Sequence, residues 1–284
     1  MYNVAVVLFK ETSSGISSFF SMPKVEEVFE AGMGEENFRF HLLVCQYSSK
    51  NLLTQRKLRQ LVKLCEENSI NLLISINKPD AKLRLHETEL ADIGAPVREI
   101  KAIKLLGALI WISHKQDRNL LEKRIGFAAS ATDFETVDML SEEASSITVL
   151  EDMDGESRDL LHMKVMQSRG VSVIFTKELS KLIKGSDVLI VDDGVDFGVC
   201  EELLKDKVLL GSNDCFKRTG GFSNVLLWPA PVEEGPAYSY IREYNDELLA
   251  VMKYCMKEND YMDFLSLLPY IYIFDGNGKQ VIMP

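Results

Sequence analysis

Short apolar bursts recur along the chain with amphipathic stretches between them, and the alternation is most regular over residues 124–194. There RIGFAASATDF reads as a strand at 125–129, a turn of small residues and the start of a helix. Strands follow at 147–150, 171–175 and 188–191, separated by helical patterns at 133–144, 156–168 and 177–184. A helical stretch at 200–204 and strands at 208–210 and 225–227 complete the series. Alternation of strand and helix specifies a parallel sheet covered by helices.

The front of the chain carries a similar but shorter pattern. Residues 2–9 form an apolar strand, and the serine-rich 13–21 reads as a loop or helix entry. Pro23 then opens a helix through Val25, Val28 and Phe29 that stops near Gly32 and Gly34. FRFHLLVCQ (38–46) is a second strand, and Thr54 caps a helix with Leu58, Leu61, Val62 and Cys65 on one face. NLLISI (71–76) is a third strand, giving the order β-α-β-α-β. Gly94 and Pro96 break the stretch 78–100, which reads as loop with a short helix and a strand at 97–100. Residues 101–123 follow as one amphipathic helix, with Ile103, Leu106 and Ile110 on its apolar face. After Pro229, Pro231 and Pro236 come helices at 243–257 and 261–268. The chain then closes on YIYIF and KQVIM around Asp275-Gly276, a strong hairpin signal.

These elements predict an α/β protein of two domains: an N-terminal α/β unit and a C-terminal Rossmann-like doubly wound parallel sheet with a terminal hairpin. The expected boundaries are 1–100, a bridging helix 101–124, the Rossmann-like domain 125–230, and helices with hairpin at 231–284.

Charge sharpens the boundary. Residues 1–124 hold 18 Lys and Arg against 15 Asp and Glu, a net of +3, and the remainder 14 against 28, a net of -14. A half so acidic repels phosphates, so no nucleic-acid partner is expected. Five scattered cysteines with no C-x-x-C spacing imply no zinc site and a reducing, cytoplasmic setting. The N-terminus reads as a strand rather than a signal peptide. No apolar run approaches the ~20 residues that cross a bilayer, so no membrane association is expected.

The candidate chemistry gathers at the first turn of the regular region. Gly126, Ala128 and Ala131 follow the spacing G-x-A-x-x-A, with Ser130 between the last two, and Glu151 and Asp152 lie about 20 residues on, after the next strand. This order resembles the dinucleotide fingerprint G-x-G-x-x-G/A of Rossmann-type domains, over about a hundred residues. The resemblance implies NAD or NADP as cofactor. Gly126, Ala128, Ser130 and Ala131 would then approach a pyrophosphate, and Glu151 or Asp152 would hold a ribose hydroxyl. The chain departs from the pattern in three ways. Alanine replaces the second glycine, Asp133 and Glu135 occupy the helix start, and no Lys or Arg falls between Arg124 and Arg158. The two-domain layout is similar to that of shikimate dehydrogenases, which implies a small-molecule ligand in the cleft between domains. Their serine, lysine and aspartate substrate pattern is missing from residues 1–124. A methyltransferase-like sheet is a further resemblance, since an acid after the second strand also holds an adenosine ribose.

Outside this turn the signals are thinner. Asp192 and Asp193 end a strand, but the other parts of a receiver-type phosphorylation site do not follow; with Glu151 and Asp152 they read as an acidic rim or as solvated strand ends. The four histidines have no partner at metal-ligand spacing. GSNDCFKRTGG (211–221) brings Lys217 and Arg218 into a glycine-bearing loop, read either as a surface loop or as an anion contact. The function expected is a divergent nucleotide- or dinucleotide-binding protein, with or without catalysis. The alternatives are an NAD(P)-dependent oxidoreductase of shikimate-dehydrogenase type and an interaction protein with a ligand-free fold.

Overall fold

A computed structural model describes residues 1–11, 21–47, 55–70, 72–76, 94–116, 123–128, 134–141, 144–150, 155–191, 195–211, 221–232, 235–258, 260–275, 277 and 279–282. In chain order the first elements are β1 (Tyr2–Glu11), β2 (Lys24–Met33), β3 (Glu36–Tyr47), α1 (Gln55–Glu67), β4 (Leu72–Ile76) and α2 (Gly94–Gln116). Next come β5 (Arg124–Ala128), α3 (Phe134–Leu140), β6 (Ser146–Leu150), α4 (Gly155–Arg169), β7 (Val173–Thr176), α5 (Leu179–Gly185) and β8 (Val188–Val191). A 3-10 helix (Gly198–Leu204), β9 (Val208–Leu210) and β10 (Phe222–Trp228) follow. The last elements are α6 (Pro236–Glu243), α7 (Asn245–Met256), α8 (Tyr261–Ser266), β11 (Tyr270–Asp275) and β12 (Gln280–Ile282).

Two units result, each assembled from two pieces of chain. Met1–Val97 joins Pro229–Leu268 in the first, and Arg98–Trp228 joins Pro269–Pro284 in the second. The segment after residue 231 is thus shared: its helices belong to the first unit and its hairpin to the second.

The first unit holds a four-stranded mixed sheet of order β2-β3-β1-β4. β1 runs parallel to both β3 and β4, with Ala5 beside His41 and Leu73, and Val7 beside Leu43 and Ser75. Side chains alternate across the sheet. One face therefore presents Ala5, Val7, Phe9, Leu43, Cys45 and Leu73, which pack with Leu61 and Cys65 of α1. The opposite face carries Phe29, Phe38 and Phe40, with ring centroids 5.2 Å apart for Phe29–Phe40 and 6.1 Å for Phe38–Phe40.

The stretch read as a helix through Val25, Val28 and Phe29 is the strand β2, antiparallel to β3, so the unit is β-β-β-α-β. The cause is a β-bulge. Val25 pairs with Leu43 and Glu27 with Leu42, which leaves Glu26 as an extra residue. The insertion places Val25 and Val28 on one face at a spacing of three, mimicking a helical period. Beyond the bulge, Phe29, Ala31 and Met33 are buried in strict alternation. Gly34, at φ +60°, then makes the two-residue turn into β3. A second correction concerns 97–100, which is helical: α2 begins at Gly94, with Pro96 in its first turn, where a missing N–H costs nothing.

The second unit is an eight-stranded sheet of order β12-β11-β10-β9-β8-β5-β6-β7. β5 to β10 are parallel, and β11 and β12 add an antiparallel pair at the β10 edge. Counting from β5, the parallel strands stand in the order 3-2-1-4-5-6, the doubly wound Rossmann arrangement. On one face Ala128, Leu189, Val191 and Leu209 pack with Leu182 and Ile183 of α5 and with Phe197 and Leu204.

The amino-terminal edge of this sheet is closed by polar contacts. Arg124 makes a two-pronged pair with Asp187, Nε to Oδ2 at 3.1 Å and a second guanidinium nitrogen to Oδ1 at 2.8 Å. The Asp187 backbone N–H donates to the Arg124 carbonyl, and Lys207 Nζ donates to the Ser186 carbonyl at 2.6 Å. The guanidinium lowers the Asp187 pKa to about 2. Among the described residues, no helix is long and apolar enough to cross a membrane.

Candidate functional site at the carboxyl edge of the parallel sheet

In an open parallel sheet the helices leave to opposite faces where the strand order reverses, and a crevice forms beyond the carboxyl ends of the strands on either side. Here the reversal falls between β5 and β8. β6 and β8 flank β5, with Phe127 beside Val149 and Ile190, and Ala128 beside Val191. The last residues of the three strands are Ala128, Leu150 and Val191. The segments that continue from them, 129–133, 151–154 and 192–194, lie outside the described residues. Ser130, Ala131, Glu151, Asp152, Asp192 and Asp193 fall in those segments.

Gly126 and Ala128 are described. Gly126 lies inside β5, paired with Thr148 and Leu189, two residues before the strand ends. A Cβ there would overlap the Ser186 hydroxyl and come within 2.8 Å of Leu189 Cδ2. Ser186 follows α5 directly, is fully buried, and its hydroxyl donates to the Leu182 carbonyl at 2.7 Å. The missing side chain of Gly126 therefore makes room for the end of α5 against the sheet. Ala128 is fully buried beside Leu182, Ile183 and Leu189 in the α5-side core. The described part of the G-x-A segment is packed against protein. The residues expected to hold a ribose are not described.

A second glycine at this edge carried no special weight in the sequence beyond marking the start of a loop. Gly211 follows β9 with φ +123°, and a Cβ on it would overlap the Val191 carbonyl at the end of β8. Its N–H donates to the Phe222 carbonyl at 3.0 Å. This glycine lets the chain cross the end of the neighbouring strand at backbone distance. The signal was the glycine immediately after an apolar triplet, which a loop reading absorbs. The segment it leads into, with Lys217 and Arg218, lies outside the described residues.

The remaining candidates divide between structure and silence. Cys45 and Cys65 are buried free thiols in the first unit, and burial pushes both up to about 11, so they stay protonated at neutral pH. His162 Nδ1 sits 3.2 Å from the Val173 carbonyl, tying α4 to β7. Among the described residues, no three His, Cys, Asp or Glu side chains gather as metal ligands.

No protein-family model matches the sequence, and no curated protein matches it. Solved structures of similar layout are distant. L-tryptophan dehydrogenase from Nostoc punctiforme aligns with a TM-score of 0.44 at 9% identity, over 94% of this chain and 80% of that one. Anabolic ornithine carbamoyltransferase from Campylobacter jejuni gives 0.38 at 13% identity, over 93% and 88%. Shikimate 5-dehydrogenase from Listeria monocytogenes, crystallised with shikimate and NAD, gives 0.35 at 8% identity, over 77% and 80%. Overlaps this loose carry no argument about activity, and the fold class stands on the strand order itself. The chain is an α/β protein whose second unit is built on a Rossmann-type sheet.

Proposed function

We propose that the second unit binds a nucleotide-type ligand at the carboxyl ends of β5 and β6. The observation that supports this reading is the reversal of strand order between β5 and β8. Ser130 and Ala131 follow β5 by two and three residues, and Glu151 and Asp152 follow β6 directly. In this reading the small residues leave the first turn open to a ligand, and one of the two carboxylates accepts from a ribose hydroxyl. Residues 125–157 contain no Lys or Arg. That composition favours the nucleoside part of a ligand over its phosphates, and NAD over NADP, whose extra phosphate would meet Glu151 and Asp152.

Thermal unfolding of the full chain with NAD, NADP, S-adenosylmethionine and ATP at millimolar concentration tests the reading. A ligand at ten times its Kd stabilises by about 1.4 kcal/mol, which raises Tm by about 4 °C in a domain of this size. The expected result is a rise with NAD or S-adenosylmethionine, smaller with NADP and ATP, and lost in Glu151→Ala or Asp152→Ala. No rise with any of the four would sink the proposal.

A second reading, an interaction protein that keeps the fold without a ligand, draws support from Gly126. Its glycine is accounted for by Ser186 and Leu189 alone, with no ligand needed.

A further inference from the structure

Apart from the carboxyl edge, the feature that demands an explanation is a histidine sealed in the first unit. His41 lies in the middle of β3, is only 5% exposed, and among the described residues neither ring nitrogen has a hydrogen-bond partner. Buried polar atoms are nearly always paired, so an imidazole left bare at both nitrogens is unusual. The register fixes its surroundings. On the α1 face, His41 stands between Ala5 of β1 and Val28 of β2. β1 adds the polar Asn3 and the apolar Val7 and Phe9.

The charged groups on that face do not welcome a second positive charge. Arg39, two residues along β3, pairs with Glu30 of β2, its guanidinium 2.6 Å from Oε1. The carboxylate nearest in the register is therefore already engaged. α1 turns Lys57, Leu61 and Cys65 inward, and Lys57 donates to the Gln46 carbonyl at 2.7 Å. Burial and the Arg39 charge both pull the imidazole pKa down from its ordinary value. Val28, directly across the strand pair, is 43% exposed, so solvent lies one strand away.

We infer that His41 makes the mixed sheet acid-sensitive: taking up a proton requires the β2–β3 ribbon to open and deliver the ring to water. The bulge at Glu26 already interrupts the ladder on the strand that would move. The sign follows from linkage. Burial and the Arg39 guanidinium disfavour the charged ring in the folded state, whereas the unfolded chain titrates near pH 6.5. Stability is therefore full above that value and falls as pH drops below it, by up to tenfold in the folding constant per pH unit for one proton.

The test is amide exchange on the full chain at pH 7.5 and pH 5.0, corrected for intrinsic rates and read separately on β2–β3 and on β5–β8. Urea unfolding of the wild type, His41→Phe and His41→Gln is run alongside. Expected is loss of protection in β2 and β3 at pH 5.0 ahead of β5 and β8, at least tenfold in the wild type and absent in whichever variant folds. Unchanged β2–β3 protection in the wild type overturns the inference, as does a wild-type pH slope reproduced in either variant.

Discussion

The two sheets of this protein tolerate change for different reasons. The eight-stranded sheet is tight at the backbone: Gly126 and Gly211 stand where a single methyl group would meet Ser186 or the Val191 carbonyl. Its amino edge is saturated with polar contacts, Arg124 to Asp187 and Lys207 to Ser186. The four-stranded sheet is the reverse. Its glycine turn at Gly34 meets only side chains at 3.6 Å or more. Among the described residues, its interior leaves the His41 ring nitrogens and the Ser75 hydroxyl unpartnered. Parallel strands joined by crossovers bring helix ends and neighbouring strand ends close together, so backbone clearance limits them. A hairpin edge that has absorbed a bulge has slack, and its weak point is the buried polar group that no neighbour satisfies.

Substitutions at named positions break or sharpen this contrast. The largest effect is expected at Gly211→Ala, which adds an overlap with the Val191 carbonyl to a backbone conformation that L side chains rarely adopt. Steric overlap with unyielding backbone together with a positive φ is expected to cost more than about 3 kcal/mol. The measurement is the urea midpoint, and a loss below about 1 kcal/mol would mean that the chain swings clear of β8 easily.

Gly126→Ala comes next. The added methyl meets side chains rather than backbone, and the usual price of overpacking is about 1–3 kcal/mol. Pairing it with Ser186→Gly should recover part of the loss, because the hydroxyl that blocks the methyl is gone. If Gly126→Ala were neutral for folding yet abolished ligand-induced stabilisation, the glycine would belong to a binding turn rather than to the α5 contact.

Asp187→Asn should give the smallest change. The Arg124 side chain is about half exposed and that of Asp187 a third, so the pair is worth about 1 kcal/mol or less in solvent. Because folding lowers the Asp187 pKa to about 2, its contribution is present above pH 4 and lost as pH falls through 2. Wild type and variant should therefore differ at pH 7 and converge near pH 2 in a urea series. The acid response of this pair lies well below that expected for His41, so the two sheets separate by pH as well as by mutation.

How much of this was legible in advance depends on the range of the forces involved. The strands and helices of the second unit follow from local periodicity, and β8 and β9 appear with the ends expected for them. β2 reads as a helix in the sequence because the extra residue Glu26 shifts Val28 to a helix-like distance from Val25, and a bulge is defined only by a partner strand. The expected site was legible as a spacing, G-x-A-x-x-A with an acid about 20 residues on. The reason for Gly126 was not, since Ser186 lies sixty residues further along the chain.

The sequence by itself determined the fold class, the shift in charge near Arg124 and the hairpin at Asp275, all properties of neighbouring residues. Only the tertiary structure decided the strand order 3-2-1-4-5-6, the bulged edge of the first sheet and the burial of His41. It also decided the return of Pro229–Leu268 to the first unit. Each of those depends on which distant segments meet, and periodicity within a segment carries no record of its partner.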